Sequence, residues 1–209
     1  MSSLFPLLPA FLDLTGRAVV LLSGEAGLAP LARRLLDCGA GVTVFDPSPA
    51  AEMSALRPSI RLVARRWRAL DLAGAALVVA GAAESRLPRA RAAARSARAL
   101  FHAPHDPAAS DVRLGAAIAG GTIAVGVTAP GLPSEVGQAL ASRLEVTTLA
   151  GYDRFLEAAA RVSEKVAARL PDQDQQSAFW RATAEAAFEV KAIDASAWDR
   201  WIEARLNPP

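Results

Sequence analysis

The sequence predicts an α/β protein: a parallel sheet wound with helices, then a small β extension, then a helical C-terminal region. Three observations carry this. Short apolar, β-branched runs alternate with Ala-, Leu- and Arg-rich stretches of helical spacing as far as His102, the pattern of strands joined by crossover helices. Two further apolar runs then flank Gly120-Gly121 with no helix between them. Beyond Pro133 nearly every stretch has helical periodicity.

Ala18 to Leu22, bounded by Thr15-Gly16 and Ser23-Gly24, has the composition of a buried strand. From Leu28 to Cys38 the apolar residues Leu28, Leu31, Ala32, Leu35 and Leu36 recur at three and four, and Gly39 is placed as the C-terminal stop. Val42 to Phe45 is a second strand closed by Asp46-Pro47, which completes a βαβ unit. The alternation continues with strands at Ile60 to Val63 and Ala75 to Ala80, a helix at Arg86 to Arg98, a strand at Ala99 to His102, and a Pro/Asp-rich loop from Pro104 to Asp111. Val112 to Ala119 and Thr122 to Thr128 form a hairpin around Gly120-Gly121. After Pro130-Gly131-Leu132-Pro133, Ser134 is the expected N-cap of a helix over Glu135 to Leu144. Helices follow at Asp153 to Leu170, Gln175 to Lys191 and Ser196 to Leu206, the last opening with capping-box spacing at Ser196 and Asp199. Trp180, Trp198 and Trp201 lie in this stretch, where such side chains pack helices together or seal a subunit interface.

With 209 residues, 52% of them hydrophobic and 21% charged, the chain has enough apolar surface for a core without disulfides, and disorder is excluded. Its single cysteine, Cys38, has no partner within the chain, and no secretory leader pattern opens the sequence. A cytoplasmic protein is expected. No apolar run approaches the roughly 20 residues of a membrane span, so no membrane partner is expected. The 23 basic and 21 acidic residues leave a formal charge of +2, which gives no reason to expect nucleic acid. The distribution is uneven: Arg57, Arg61, Arg65, Arg66, Arg68, Arg86, Arg89, Arg91, Arg95 and Arg98 crowd the middle third. This is either a set of solvated helix faces or a surface for an anionic ligand, since arginine presents a planar fork to carboxylates and phosphates.

The turn after the first strand, Ser23-Gly24-Glu25-Ala26-Gly27, stands where a dinucleotide fold carries G-x-G-x-x-G. Ser23, Gly24, Glu25 and Ala26 are therefore candidate cofactor contacts, with Glu25 placing a carboxylate where phosphates belong. Asp46 ends the second strand 22 residues after Gly24, at the place of an acceptor for ribose hydroxyls. It also has the chemistry to cap Ser48. His102 and His105 sit at the end of a parallel strand, outside which ligands of wound sheets bind. His105 and Asp106 are candidates for a general base or for ligands to a divalent metal; for His102 a satisfied strand position is the competing reading.

Several segments, in order, carry a resemblance. Leu8 to Arg17, Leu35 to Pro47, Phe101-His102-Ala103-Pro104-His105-Asp106-Pro107, Thr128 to Ser134, and Ser177-Ala178-Phe179-Trp180 together resemble the precorrin-2 dehydrogenase/sirohydrochlorin ferrochelatase family, the dehydrogenase-chelatase module of siroheme synthase. Phe101 to Pro107 is similar to that family's N-V-x-D-D-P loop, Thr128 to Ser134 lies at its S-x-x-G-x-S-P, and Ser177 to Trp180 at its R-x-F-W. The resemblance implies a Rossmann-like NAD-type domain over residues 1–112, a dimerisation β/α segment over 113–145 and a C-terminal helical domain over 146–209. It also implies NAD-dependent oxidation of precorrin-2, insertion of ferrous iron or another divalent metal, a tetrapyrrole substrate with eight carboxylates for the arginines to meet, and a homodimer.

By the same resemblance Thr128 and Ser134 are substrate contacts, Gly81 joins the cofactor set, His105 and Asp106 are catalytic, and His105 also contacts the metal. The chain departs from the family at three places: Ser23 to Leu28 replaces G-G-G-x-V-A, His105 replaces the first aspartate of D-D-P, and Ala80-Gly81-Ala82-Ala83-Glu84 replaces A-A-T-D-D. Two functions follow: an enzyme of siroheme synthesis, or a tetrapyrrole- or partner-binding relative without the dehydrogenase step.

Overall fold

The computed structural model describes residues 7–82, 84–120, 123–128, 134–144, 152–187 and 195–206. The chain forms two compact units, Met1–Leu114 and Gly115–Pro209.

In the first unit five strands, β1 (Ala18–Leu21), β2 (Gly41–Phe45), β3 (Arg61–Val63), β4 (Ala75–Val79) and β5 (Leu100–His102), form one sheet in the order β3-β2-β1-β4-β5. Every pairing is parallel. The strand that comes first in the chain thus sits in the middle, and the order reverses beside it, between β1 and β4. Alternate side chains supply the two faces of the sheet. Val19, Leu21, Val42, Val44, Leu77 and Val79 pack with Leu28, Ala32 and Leu35 of the α1 region (α1, Ala29–Asp37) and with Met53 of the short α2 (Ala51–Ser54). Val20, Leu22, Val78, Ala80 and Phe101 pack on the other face with Ala90 and Ala94 of α3 (Leu87–Ser96) and with Trp67 and Leu72. Because both faces are covered, the strands are nearly continuously apolar.

The helical and strand expectations hold with shifted ends. The first helix begins at Ala29 rather than Leu28, because Ala26–Leu28 is wound more tightly as a 3₁₀ turn and Pro30 then opens the α-helix. Gly39 stops it with φ +74°, the left-handed conformation that costs glycine least. α3 is shorter than the Arg86 to Arg98 reading, ending at Ser96, and Arg98 takes φ 58° as the chain turns into β5. The four-residue α2 was not legible, being too short for a periodic pattern. It lies in the crossover from β2 to β3 and buries Met53 completely.

In the second unit β6 (Ala116–Gly120) and β7 (Ile123–Val127) pair antiparallel, from Ala116 opposite Val127 to Gly120 opposite Ile123. This is the expected hairpin; its turn at 121–122 lies outside the described residues, as do Ala83, the segment 129–133 and the expected continuation of the third C-terminal helix to Lys191. α4 (Ser134–Leu144) includes Ser134 as its first residue. α5 (Tyr152–Arg169), α6 (Gln173–Ala187) and α7 (Ala195–Leu206) share a core of Phe155, Ala158, Val162, Val166, Ala187, Trp198 and Ile202. Trp198 meets Phe155 edge-on at 5.3 Å and Trp201 at 5.2 Å, so these aromatics join helices of one unit. α7 begins at Ala195, one residue before the Ser196 read as its cap, and Asp199 pairs with Arg161 of α5 at 2.8 Å. Lys165 and Glu203 repeat that bridge one turn along, at 2.6 Å. Among the described residues no helix is long and apolar enough to cross a membrane.

His102 ends β5 at 6% exposure, with Nδ1 3.0 Å from the Val112 carbonyl oxygen. The satisfied-strand reading of this histidine is therefore the one that applies. Burial holds its pKa down at about 4, against a partial upward pull from the Val112 hydrogen bond. Below the unfolded value of about 6.5 the unfolded chain takes up a proton that the folded one refuses. Stability of the first unit is therefore complete above pH 6.5 and falls between pH 6.5 and 4 by about 3 kcal/mol. Urea titrations across that range should show the loss, and His102→Phe should flatten it. In the second unit, Ile202→Ala removes a fully buried side chain and should cost about 3 kcal/mol, read as a drop in the unfolding midpoint of the helical signal.

Candidate functional site

The C-terminal ends of β1, β2, β4 and β5 deliver the candidate residues of the first unit to one edge of the sheet. The β1 turn is held there by the chain itself. Gly24 donates its N–H to Asp46 Oδ2 at 2.7 Å, and its carbonyl accepts from Ala50 N–H at 2.9 Å. The second Asp46 oxygen, Oδ1, accepts from Ser48 N–H at 2.8 Å. Asp46 therefore does cap Ser48, and its other oxygen ties the end of β2 to the turn after β1. A Cβ on Gly24 would stand 2.7 Å from the Pro49 Cβ and 3.2 Å from that of Asp46. The glycine is needed for this packing of one loop on another.

Glu25 reaches in the opposite direction, across to β4. Its Oε1 accepts from Ala82 N–H at 3.0 Å, while Oε2 accepts from the Ser23 hydroxyl at 3.3 Å. A Cβ on Gly81 would stand 2.6 Å from the Glu25 carboxyl carbon. The bare glycine surface at the end of β4, where a cofactor's approach was expected, is thus covered by a carboxylate of the same chain. Ser23 is 4% exposed and completes a small ring, since its Oγ also accepts from Glu25 N–H at 3.3 Å. Ala26 only begins the 3₁₀ turn.

His105 stands over this carboxylate. Its Nε2 is 4.0 Å from Glu25 Oε1, and its side chain is 66% exposed. Asp106, next to it, caps the 3₁₀ turn Pro107–Ala109 by accepting from Ala109 N–H at 3.1 Å. The pair read together from sequence therefore divides in the fold, the histidine facing the β1 turn and the aspartate facing its own loop. Among the described residues no group of three or more His, Cys, Asp and Glu side chains is placed to hold a metal. Thr128 follows β7 and is exposed, and Ser134 opens α4, both in the second unit.

Beside the β1 turn lies a cleft of about 180 Å³, lined among others by Phe45, Asp46, Arg66, Trp67, Glu84 and Arg86. Sequence reading missed its organiser. Glu84, 5% exposed in its side chain, accepts from Trp67 Nε1–H, from Arg86 N–H at 2.8 Å and from Arg86 Nε–H at 3.4 Å. The Arg86 guanidinium lies over the Trp67 ring at 5.0 Å. Upstream, Arg65 forks onto Asp71 at 2.7 and 2.8 Å, which fixes the loop carrying Arg66 and Trp67. That hydrogen-bonded fork holds the Asp71 carboxyl below the usual carboxylate range. The arginine run is thus partly committed to internal partners: Arg91 and Arg95 also face Asp111, at 3.8 and 3.9 Å.

The geometry suits one half of a dinucleotide. The cleft at the end of β2 has a polar lining suited to a nucleoside, and the strand order reverses beside β1, where such ligands bind in wound sheets. The turn does not suit the pyrophosphate as it stands, because the Glu25 carboxylate occupies the approach over Gly81.

Comparison with known proteins agrees with the fold. A family model described as "Putative NAD(P)-binding" matches residues 10–116. Siroheme synthase of Chromobacterium violaceum is 31% identical over 180 residues, covering 85% of this chain and 38% of the relative. That of Pseudomonas entomophila is 30% identical over 177 residues, covering 83% and 38%, and that of Nitrosomonas europaea 29% over 207 residues, covering 96% and 44%. The chain thus spans less than half the length of these relatives. Among solved structures, SirC, a precorrin-2 dehydrogenase, superposes with a TM-score of 0.66 at 14% identity, covering 94% of this chain and 99% of that one. With the family model matching more than half of its length, the chain belongs to the NAD(P)-binding family that includes the dehydrogenase-chelatase module of siroheme synthase, the family its motifs resemble.

Proposed function

We propose that the chain works in siroheme biosynthesis as a module of the dehydrogenase-chelatase type. Its substrates would be precorrin-2 or sirohydrochlorin, with ferrous iron or another divalent metal as co-substrate of the chelation step. The observation that carries this is the position of His105, an exposed imidazole at the mouth of the sheet within 4.0 Å of the β1 turn, on the loop that resembles the family's D-D-P. An imidazole carries a proton donor and a proton acceptor on one ring. At that place it can take a proton from a tetrapyrrole carbon during oxidation, or one of the two pyrrole protons that a divalent metal displaces. Asp106 acts by holding the loop through its cap on Ala109. Thr128 and Ser134 are retained as substrate contacts on the resemblance alone, and the homodimer likewise.

A second reading rests on Glu25. With its carboxylate against Gly81 and on Ala82 N–H, the chain has the form of a tetrapyrrole- or partner-binding relative without the dehydrogenase step. Binding of NAD separates the two. Wild type should bind it weakly, and Glu25→Gly should improve binding by roughly 1 to 3 kcal/mol, the scale of one relieved charge contact and a reopened backbone. Micromolar binding by wild type, unchanged in Glu25→Gly, would show that the turn opens unaided and leave the dehydrogenase reading the stronger. Failure of both forms to bind, with metal insertion lost in His105→Ala, would leave a chelatase. Asp46→Ala is a poor probe of ribose binding here, since Asp46 also holds Gly24 and Ser48.

Sedimentation at micromolar concentration should show a dimer, and a monomer there would remove that part of the proposal. Binding of an octacarboxylate tetrapyrrole should weaken steeply with salt, because exposed arginine-carboxylate attraction is screened over about 8 Å at physiological ionic strength. Salt-independent affinity would take the arginines out of the substrate site.

A further inference from the structure

His105 is carried to the mouth of the sheet on a short turn, and one hydroxyl holds both ends of that turn. Past β5 the Asp106 N–H donates to the Ala103 carbonyl at 3.0 Å. This closes Ala103-Pro104-His105-Asp106 into a β-turn with proline at its second position, where a fixed φ suits it. His105 is the third residue. Its side chain is 66% exposed and comes no nearer to Glu25 than 4.0 Å, so the backbone of the turn sets its place. Ser110 stands across the loop, and its Oγ accepts from Ala103 N–H at 2.9 Å. The proton of that hydroxyl is in reach of two carbonyls, those of Ala103 and Asp106, each at 3.2 Å. Ser110 therefore touches the first and the last residue of the turn. It is itself fixed to the sheet, because Asp111 and Val112 donate their N–H groups to the Phe101 carbonyl of β5 at 2.8 and 3.3 Å. The Asp106 carboxylate serves the 3₁₀ turn that follows instead.

We infer that Ser110 is the positioning residue of His105: its hydroxyl fixes the turn that carries the imidazole, and with it the place from which the imidazole gives or takes a proton. The inference rests on the proposed part of His105 in the chemistry, but Ser110 itself acts only through the backbone of the turn. An imidazole on a loosened turn still meets the substrate, yet is seldom aligned with the reacting atom. Misplacement by about 1 Å costs on the order of a hundredfold in rate. Loss of the hydroxyl therefore falls on turnover rather than on binding.

The test compares Ser110→Ala, which removes the hydroxyl, with Ser110→Thr, which keeps it, in the full chain. NMR relaxation reads the backbone order of His105, with His102 inside β5 as the internal reference. In wild type both should lie near 0.85, the value of rigid backbone. In Ser110→Ala that of His105 should fall below about 0.6 while that of His102 stays, and Ser110→Thr should restore it. Insertion of divalent cobalt into sirohydrochlorin should lose about tenfold in kcat in Ser110→Ala, part of the roughly 10²–10⁴-fold that a positioned acid or base supplies, with KM within about twofold. Ser110→Thr should recover most of it. Ser96→Ala, whose hydroxyl bonds within α3, should change neither quantity. A His105 as ordered in Ser110→Ala as in wild type, a fall in His102 as large as that in His105, no restoration by Ser110→Thr, or a loss confined to KM overturns the inference. Absence of tetrapyrrole turnover in wild type, with the order of His105 still following the hydroxyl, would count against the proposed function and leave the positioning standing.

Discussion

Two carboxylates, Asp46 and Glu25, tie the ends of three parallel strands together, and what the sheet edge can bind follows from where their oxygens go. A parallel sheet brings the C-terminal ends of its strands to one side and leaves the turns there with backbone donors to satisfy. Asp46 takes donors from Gly24 and Ser48 and so joins β1 to β2. Glu25 takes the donor of Ala82 and joins β1 to the end of β4. Between them they close the turn against its own sheet, and the space left open is displaced toward β2, where Trp67, Glu84 and Arg86 form the wall of the cleft.

The division of labour between the two histidines follows from the same edge. His102 is still within β5, where alternation turns it inward and burial keeps it neutral. His105, three residues on, is past the strand and outside its alternation, and so reaches the mouth. Of the two candidate groups on its loop, Asp106 gives one oxygen to the cap on Ala109, while His105 stands 4.0 Å from Glu25.

Much of the first unit was legible because apolar runs bounded by glycine and proline fix a wound sheet whatever the details of its turns. β1, α1 and β2 were read within a residue of their observed ends, since each is an uninterrupted pattern between clear stops. The ends that moved did so for local reasons: a 3₁₀ turn before Pro30, and a left-handed Arg98 after α3. The site was legible residue by residue but not as a set of contacts. Glu25 was visible as a charge in the wrong place, while its destination, Ala82, lies 57 residues away and depends on β4 being the neighbour of β1. Trp67 gave no signal, while Arg86 stood out only as one of a run of arginines and Glu84 only as the end of an altered motif, because a tryptophan and a glutamate in two separate loops form no pattern between them. Asp199 shows the same limit in the second unit, where an acid read for its place in a capping pattern meets an arginine supplied by another helix.

The closed turn also bears on how the protein persists in a cell. A binding turn left with unmet donors leans on its ligand, and such a protein gains stability by mass action only while the ligand is abundant. Here the chain supplies an anion of its own to the place, in the carboxylate that Ala82 and Ser23 hold. The fold of the first unit therefore needs no outside anion to satisfy that turn, and nucleotide bound in the cleft would only add to a stability the chain already supplies.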